Sequence, residues 1–453
     1  MFTADSNILD KLSYDIVKGY IELHKKEIPR LQKLYNYYIG KQDILTREKD
    51  AEVPNNKIVC NHAKTIADTA AGYFIGNSIS YVGTGAEKLK EWFQITDIDS
   101  VDAKLAENAG IYGRAYELVN MSQDEKPTPK SYVISPFNTF VVYDDTVEHN
   151  PLLGVYYYPV NNDKNELIGY KVTVSSSKLI TVYETDRSLS LKSEISREQN
   201  VFAVVPIIEY SNNDVQQGDF EQVISLIDAY NILMSDRVND KEQFVDAILL
   251  IINALLGDSE EEDSQVYKAL KQNKLLALPS ESDARYLTRT FDESGVEILR
   301  KALEEDIHKF ANVPCMSDEN FVGNASGVAM EYKLLGLEMI TKIKERHFKA
   351  GIKKRIKLYS TINNIKGGAN IIEIEPVFSR GLPKNLVELA NIVSQLSDVV
   401  PLETLLSLLP FIKDPKEAVE LLKKQKEENS QIQKDSFGIV KNASPNGGED
   451  DEE

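Results

Sequence analysis

Apolar residues near the start of the chain recur at helical spacing. Leu12, Ile16, Tyr20 and Leu23 step by four, four and three, and Leu31, Leu34, Tyr35 and Tyr38 continue after Pro29. Gly40 is the expected stop, since glycine readily takes the left-handed backbone that ends helices. After the extended dipeptide Val53-Pro54, a second helix is predicted from about Asn61 through Ile66 towards Gly72. From Tyr116 to Tyr210 the pattern changes. Short runs of β-branched and aromatic residues (Tyr132–Ile134, Thr139–Tyr143, Val155–Tyr158, Tyr170–Val174, Leu179–Tyr183) alternate with Asn, Asp, Ser and Pro, which predicts an antiparallel β module.

One long helix is predicted from Asp219 to Leu256, opened by a capping box of Asp219 and Gln222 and, at roughly 1.5 Å per residue, nearly 60 Å long. Val223, Ile227, Tyr230 and Met234 share a register with Phe244, Ile248, Ile251 and Leu255, and the register breaks at Arg237 and Lys241. The break fits either a locally solvated helix or one that leaves its own core to pack on neighbouring subunits. A second helix, capped by Ser294 and Glu297, carries Val296, Leu299, Leu303, Ile307 and Phe310 to an end near Pro314, a stripe suited to antiparallel packing on the first. Between them, the acidic run Asp258, Glu260, Glu261, Glu262 and Asp263, then Leu275–Leu278 and Tyr286-Leu287, suggest a small mixed α/β tip.

Asn312 to Ser326 has no periodicity, and an unstructured connection of that size is often functional. A third helix follows from Gly327 to about Lys366, with ten Lys or Arg against three Glu. Its charge reads first as a solvated face that pairs with acidic surface elsewhere in an oligomer, ahead of contact with phosphate. Phe348, Ile352, Ile356 and Tyr359 do not fall on one stripe with Leu337 and Ile340, so its two ends should meet different partners. A strand-like Ile371–Ile374 and the turn Gly381-Leu382-Pro383 precede a final helical module: Leu386, Leu389, Val393 and Leu396 mark one helix, and Asp414-Pro415 with Glu417 caps another to about Glu427. Beyond Ser430 the acidic, polar tail is expected to be disordered.

At 453 residues the chain should hold more than one core, and its 42% apolar and 27% charged residues are ordinary for a folded protein. The net charge of −19 is the wrong sign for gripping nucleic acid by counterion release. Cys60 and Cys315 form no disulfide framework or zinc spacing, which fits a reduced cytoplasmic setting. Met1 to Lys11 lacks the features of a signal peptide, and Ala247–Leu256 is about half the roughly 20 residues that span a bilayer, so no membrane role is expected. There is no phosphate loop, Gly83-Thr84-Gly85 lacks the third glycine of a dinucleotide fingerprint, and the five histidines are scattered. The doublet Asp144-Asp145 reads as a turn rather than a catalytic pair. No cofactor, metal site or enzymatic activity is expected.

Three blocks carry a family resemblance. The first is Tyr37-Tyr38-Ile39-Gly40, Pro54-Asn55-Asn56-Lys57-Ile58-Val59, Asn61, Ile66, Asp68 and Gly72-Tyr73-Phe74-Ile75-Gly76; the second is Val205-Pro206-Ile207-Ile208-Glu209-Tyr210, Asn212, Asn213 and Gly218-Asp219-Phe220-Glu221; the third is Leu226-Ile227-Asp228-Ala229-Tyr230-Asn231 with Ser235-Asp236-Arg237. In this order, from about Tyr14 to Arg380, the chain resembles the portal proteins of long-tailed bacteriophages with non-contractile tails. The resemblance implies an α+β, predominantly helical portal fold assembled as a dodecameric ring.

Its parts would be a β-rich wing (1–218), stem helices (219–257 and 292–311), a clip (258–291), a tunnel loop (312–326), a long helix returning to the wing (327–382), a crown (383–429) and the tail (430–453). The ring would sit at one capsid vertex of the virion after assembly in the host cytoplasm. It would pass double-stranded DNA and meet the terminase large subunit, a head-completion adaptor, and capsid and scaffolding proteins. Asn320, Phe321, Val322, Gly323, Asn324, Ala325 and Ser326 would face the DNA, and the acidic run at 258–263 would dock the motor. A minor head or capsid protein, or a metal-dependent nucleic-acid enzyme, are the alternatives.

Overall fold

The computed structural model describes residues 2–245, 248–252, 282–287, 293–316, 327–365, 374–381 and 386–429, apart from positions 52, 123–124, 126, 408, 410–411, 413–414 and 416–417. The chain divides into two compact units, Met1–Gly381 and Leu382–Glu453.

The first unit opens with β1 (Phe2–Ala4), then α1 (Tyr14–Lys25) and α2 (Ile28–Tyr38). Pro29 lies in the first turn of α2, where a missing N–H leaves no bond unmade. Gly40 follows with φ +81°, the left-handed stop expected of it. The buried face of α1 is Tyr14, Val17, Ile21 and His24, whereas Leu23 of the predicted stripe is exposed. The reading failed because His24 counts as polar in a hydropathy pattern. It is nevertheless fully buried, its ring nitrogens satisfied by the Tyr157 hydroxyl (2.9 Å) and the Pro136 carbonyl (3.1 Å).

α3 (His62–Ile75) starts where predicted, with the Asn61 side chain accepting from the Lys64 N–H. After β2 (Ser80–Val82), α4 (Ala86–Thr96) and α5 (Ile98–Tyr112), which the sequence pattern did not announce, carry Leu89, Trp92, Phe93, Leu105 and Ala109 into the largest core.

The β module stands as predicted. β3 (Arg114–Met121), β4 (Pro129–Ile134), β5 (Thr139–Asp144), β6 (Pro151–Asn161), β7 (Leu167–Ser175), β8 (Leu179–Thr185), β9 (Leu191–Gln199) and β10 (Ile207–Ser211) form two sheets. Their orders are β10-β3-β4 and β1-β5-β6-β7-β8-β9, antiparallel throughout except for the β1–β5 pair. Asp144 closes the turn after β5 by accepting from the Thr146 hydroxyl (2.7 Å) and the Asn150 N–H (3.0 Å). Those bonds hold its carboxyl below the usual range, so the doublet is a turn, as expected.

The long predicted helix is a correction. After a short 3-10 turn at Glu221–Val223, α6 runs only from Ile224 to Val245, and Ile248–Ile252 is a strand, β11, paired antiparallel with β12 (Asp283–Leu287). Five consecutive apolar residues satisfy a helical register and a strand equally, and periodicity cannot separate the two over so short a run. The capping box is also overturned. Asp219 is buried, accepting from Asn212 (2.8 Å) and paired with Lys344, while Gln222 donates to the Phe310 carbonyl.

The next helices are α7 (Glu293–Ala311) and α8 (Gly327–Ile365). As predicted, the two ends of α8 meet different partners. Leu334, Leu337 and Ile340 join a core with α3, α6 and α7, whereas Phe348, Ile352, Ile356 and Tyr359 join the core under α4 and α5. At the crossing with β10 a side-chain carbon on Gly351 would fall 2.3 Å from the Tyr210 ring, so glycine is required for the approach. β13 (Glu375–Val377) pairs with β2, just after the predicted Ile371–Ile374, of which 371–373 lie outside the described residues. The second unit contains α9 (Leu386–Leu396), α10 (Leu402–Ser407) and a helical stretch at 418–429; the predicted cap Asp414-Pro415-Glu417 and the tail from 430 lie largely or wholly outside the described residues.

Candidate functional site

The sequence singled out the helix pair and what joins it, and the described part is α6, α7 and the ribbon β11–β12. The two helices are antiparallel: Gln222 at the start of α6 reaches Phe310 at the end of α7, Tyr230 receives Arg300 (3.1 Å), and Arg237 meets Glu297 (2.9 Å) and Glu293 (3.0 Å). Lys241 pairs with Glu293 at 2.9 Å. At the register break Arg237 and Lys241 thus have acidic partners on the facing helix, in a ladder that stays largely open to solvent. Arg237 and Lys241, one turn apart, answer Glu293 and Glu297, one turn apart on the facing helix. The exposed Glu297 carboxyl is held down at about 2 by Arg300 and Arg237. The lower half of the pair is apolar, with Val223, Ile227, Ile307 and Ala311 buried, so the seam changes from oily to ionic along its length.

A second seam fixes α6 in place. Asn231, Ser235 and Asn239, four residues apart and all buried, accept from the backbone N–H groups of Cys60 (2.8 Å), Ile58 (2.9 Å) and Asn56 (2.7 Å). Four helical residues rise about 6 Å and two extended residues span about 6.6 Å, so alternate N–H groups of an extended strand match every fourth residue of a helix. Arg47 adds an ion pair to Asp236 at 2.9 Å. This seam joins the Pro54–Val59 block to the Leu226–Arg237 block.

At the far end of α7, His308 hydrogen-bonds the Val313 carbonyl (3.1 Å), and Asn312 takes a left-handed φ of 55°. His62 stacks edge-on to Tyr230 and His308, with ring centroids 4.8 and 5.5 Å away. Burial pushes both histidines below their ordinary value. The segment that follows is therefore launched from a fixed point. Asn320–Ser326, assigned to the tunnel loop, and Asp258, Glu260, Glu261, Glu262 and Asp263, assigned to motor docking, lie outside the described residues.

Part of the charge of the basic helix α8, which the sequence assigned to pairing elsewhere in an oligomer, is paired within the chain. Within the chain, Lys344 meets Asp219 (2.5 Å), Lys349 and Lys353 meet Glu375 (2.6 and 2.9 Å), and Arg355 meets Asp102 and Glu117 (both 2.7 Å). Arg355, Asp102 and Glu117 are buried, and Tyr210 donates to Glu117 as well. Burial raises the Asp102 carboxyl to about 6 against the pull of Arg355. Sequence reasoning missed this cluster, which has no local spacing to betray it. Glu293 and Glu297 did carry a signal, their own four-residue interval.

No group of three or more His, Cys, Asp or Glu suited to a metal occurs among the described residues, and no described helix is long and apolar enough to cross a membrane. Residues 18–431 match the family described as phage portal protein, SPP1 Gp6-like. The chain is 24% identical to the portal protein of Clostridium phage phiCD119 over 421 residues, covering 86% of this chain and 91% of that protein. It is 21% identical to the portal protein of Bacillus phage SPP1 over 466 aligned positions, covering 94% and 91%.

Proposed function

Because the chain belongs to the SPP1 Gp6-like family of phage portal proteins, structural components of the virion capsid rather than enzymes, we propose that it forms a dodecameric ring at one capsid vertex. Double-stranded DNA enters and leaves through that ring. The observation that supports the reading is the antiparallel pair α6–α7, which in this reading is the stem, with the segment between the two helices as the clip and 312–326 as the tunnel loop. The β module and α1–α5 form the wing in this reading, and the second unit the crown.

The acidic run at Asp258–Asp263 docks the terminase large subunit and later the head-completion adaptor, while the outer wing meets capsid and scaffolding proteins. Asn320–Ser326 face the DNA. With no Lys or Arg between Asn312 and Ser326, that contact is steric or weakly polar, which lets a duplex slide. A minor head or shell protein would assemble as a lattice, so native mass measurement and particle images of the purified chain decide between them. Closed rings are expected, and a stable monomer at micromolar concentration in several salts would remove the ring. The loop has its own test: Phe321→Ala, or a shortened Asn320–Ala325, should leave ring formation intact and impair packaging. Unaffected packaging by both changes would end the assignment.

A further inference from the structure

α8 is apolar on two opposite faces over its first half. Leu334 and Leu337 are buried in a core with α3, α6 and α7 and Thr341 is buried on the same side, while Tyr332, Leu335, Met339 and Ile343, at steps of three, four and four, lie on the other side and are 43–74% exposed. A helix apolar on both sides is built to be covered on both sides, and a monomer seldom leaves such a patch open. The stripe extends about 17 Å. Lys342 and Arg346 border it.

α7 has a matching feature. Its inner side packs on α6, yet Ile298, Leu299 and Phe310 are 50–70% exposed, extending about 18 Å along the helix. Asp306 lies between Leu299 and Phe310 on one face, and Ile298 lies beside them on the face of Lys301, Glu305 and Lys309. A cyclic ring is held by a heterologous contact, in which each copy presents two different patches that fit one another. The two outward stripes are of nearly equal length and neither is covered among the described residues, and the α7 side offers carboxylates to Arg346 beside the α8 stripe.

We infer that the outward stripe of α8, Tyr332, Leu335, Met339 and Ile343, packs in the ring against the outward α7 stripe of the next copy, Ile298, Leu299 and Phe310. This rests on the ring reading above and adds to it which faces meet.

Two arms test it on the full chain. In the first, Leu335→Glu and Met339→Glu are combined and the product examined by native mass measurement and thermal melting. Because both side chains are exposed in the single chain, the variant should keep the fold yet lose at least tenfold in ring yield. Full ring yield would overturn the inference while leaving the ring reading intact. A wild-type chain that is monomeric overturns both.

The second arm stands even if that variant misfolds. In a Cys60→Ser, Cys315→Ser background, one chain carrying Ile298→Cys is mixed with another carrying Met339→Cys, assembled and treated with a short thiol cross-linker. Mixed cross-linked pairs should dominate. Linkage mainly between like chains, or intact rings without mixed pairs, would overturn the assignment of faces.

Discussion

Arg355 shows how one side chain can hold an assembly of elements. It lies on α8, Asp102 on α5 and Glu117 on β3, and all three are removed from water. A buried ion pair need not be more stabilising than an apolar replacement of the whole group, but deleting one member leaves the other charges stranded. Arg355→Met should therefore cost about 3–5 kcal/mol, read as a lowered melting temperature, and combining it with Glu117→Gln and Asp102→Asn should restore much of the loss. No recovery in the triple variant would mean that packing rather than stranded charge set the cost. His24 makes a second case. Burial first, then the Arg114 charge, lower its pKa from 6.5 to about 4, so the folded state resists a proton that the unfolded chain accepts. Its contribution is present above pH 6.5 and is lost as pH falls towards 4. Asp102 has the opposite sign, its raised pKa favouring the folded state below about 4 and losing that advantage as pH rises through about 6. The comparison must therefore be between variants: His24→Gln should lose less stability than the parent on acidification from 6.5 to 4, and an equal loss would assign the acid sensitivity elsewhere.

Between elements, the seam of α6 on the extended 54–60 segment is the most exacting fit in the first unit. Asn231 accepts from the N–H of the partly buried Cys60 and donates to the buried Gln42, so Asn231→Leu leaves a part-buried donor and a buried acceptor without partners. The expected cost is about 1–3 kcal/mol for each orphaned group. Ile232→Ala, one residue on and half exposed, should change stability by less than about 0.5 kcal/mol, and denaturant titration of the pair separates the seam from general damage to α6. Equal effects would refute the account. This seam also shows where the sequence was legible. The Asn231 and Ser235 blocks were visible as motifs, but their mates at 56–60 are over 170 residues away, and no local period encodes a contact at that distance. The helix α3 and the strands β4–β8, whose apolar or β-branched runs stand between turn residues, were readable. The α6–β11 boundary was not, because Ile248–Ile252 is apolar at every position and so carries no period at all. Arg237 and Lys241 were legible as a break but not as half of an ion ladder, since the other half is on α7.

For the whole molecule the central electrostatic question is whether the proposed channel, with so basic a helix, would hold DNA. Nonspecific binding strengthens with each cation that can displace a counterion from the backbone, and ordinary DNA-binding proteins reach about 10⁻⁴ to 10⁻⁶ M at physiological salt. In this chain the cations of α8 are largely committed. Lys344 and Arg355 are buried against carboxylates, Lys349 and Lys353 share Glu375, and Lys342 lies 3.8 Å from Glu338. What a phosphate would meet is then the net field of a chain with 71 acidic and 52 basic residues. Duplex DNA should bind the assembled protein more weakly than about 10⁻⁴ M at physiological salt, and Lys353→Ala with Lys357→Ala should leave the weak binding seen at low salt unchanged. Mobility shift or fluorescence anisotropy across a salt series checks both statements. A micromolar affinity whose salt slope falls when those two lysines are removed would show that α8 grips the backbone. The proposed channel would then have to act as a ratchet on DNA rather than a smooth passage.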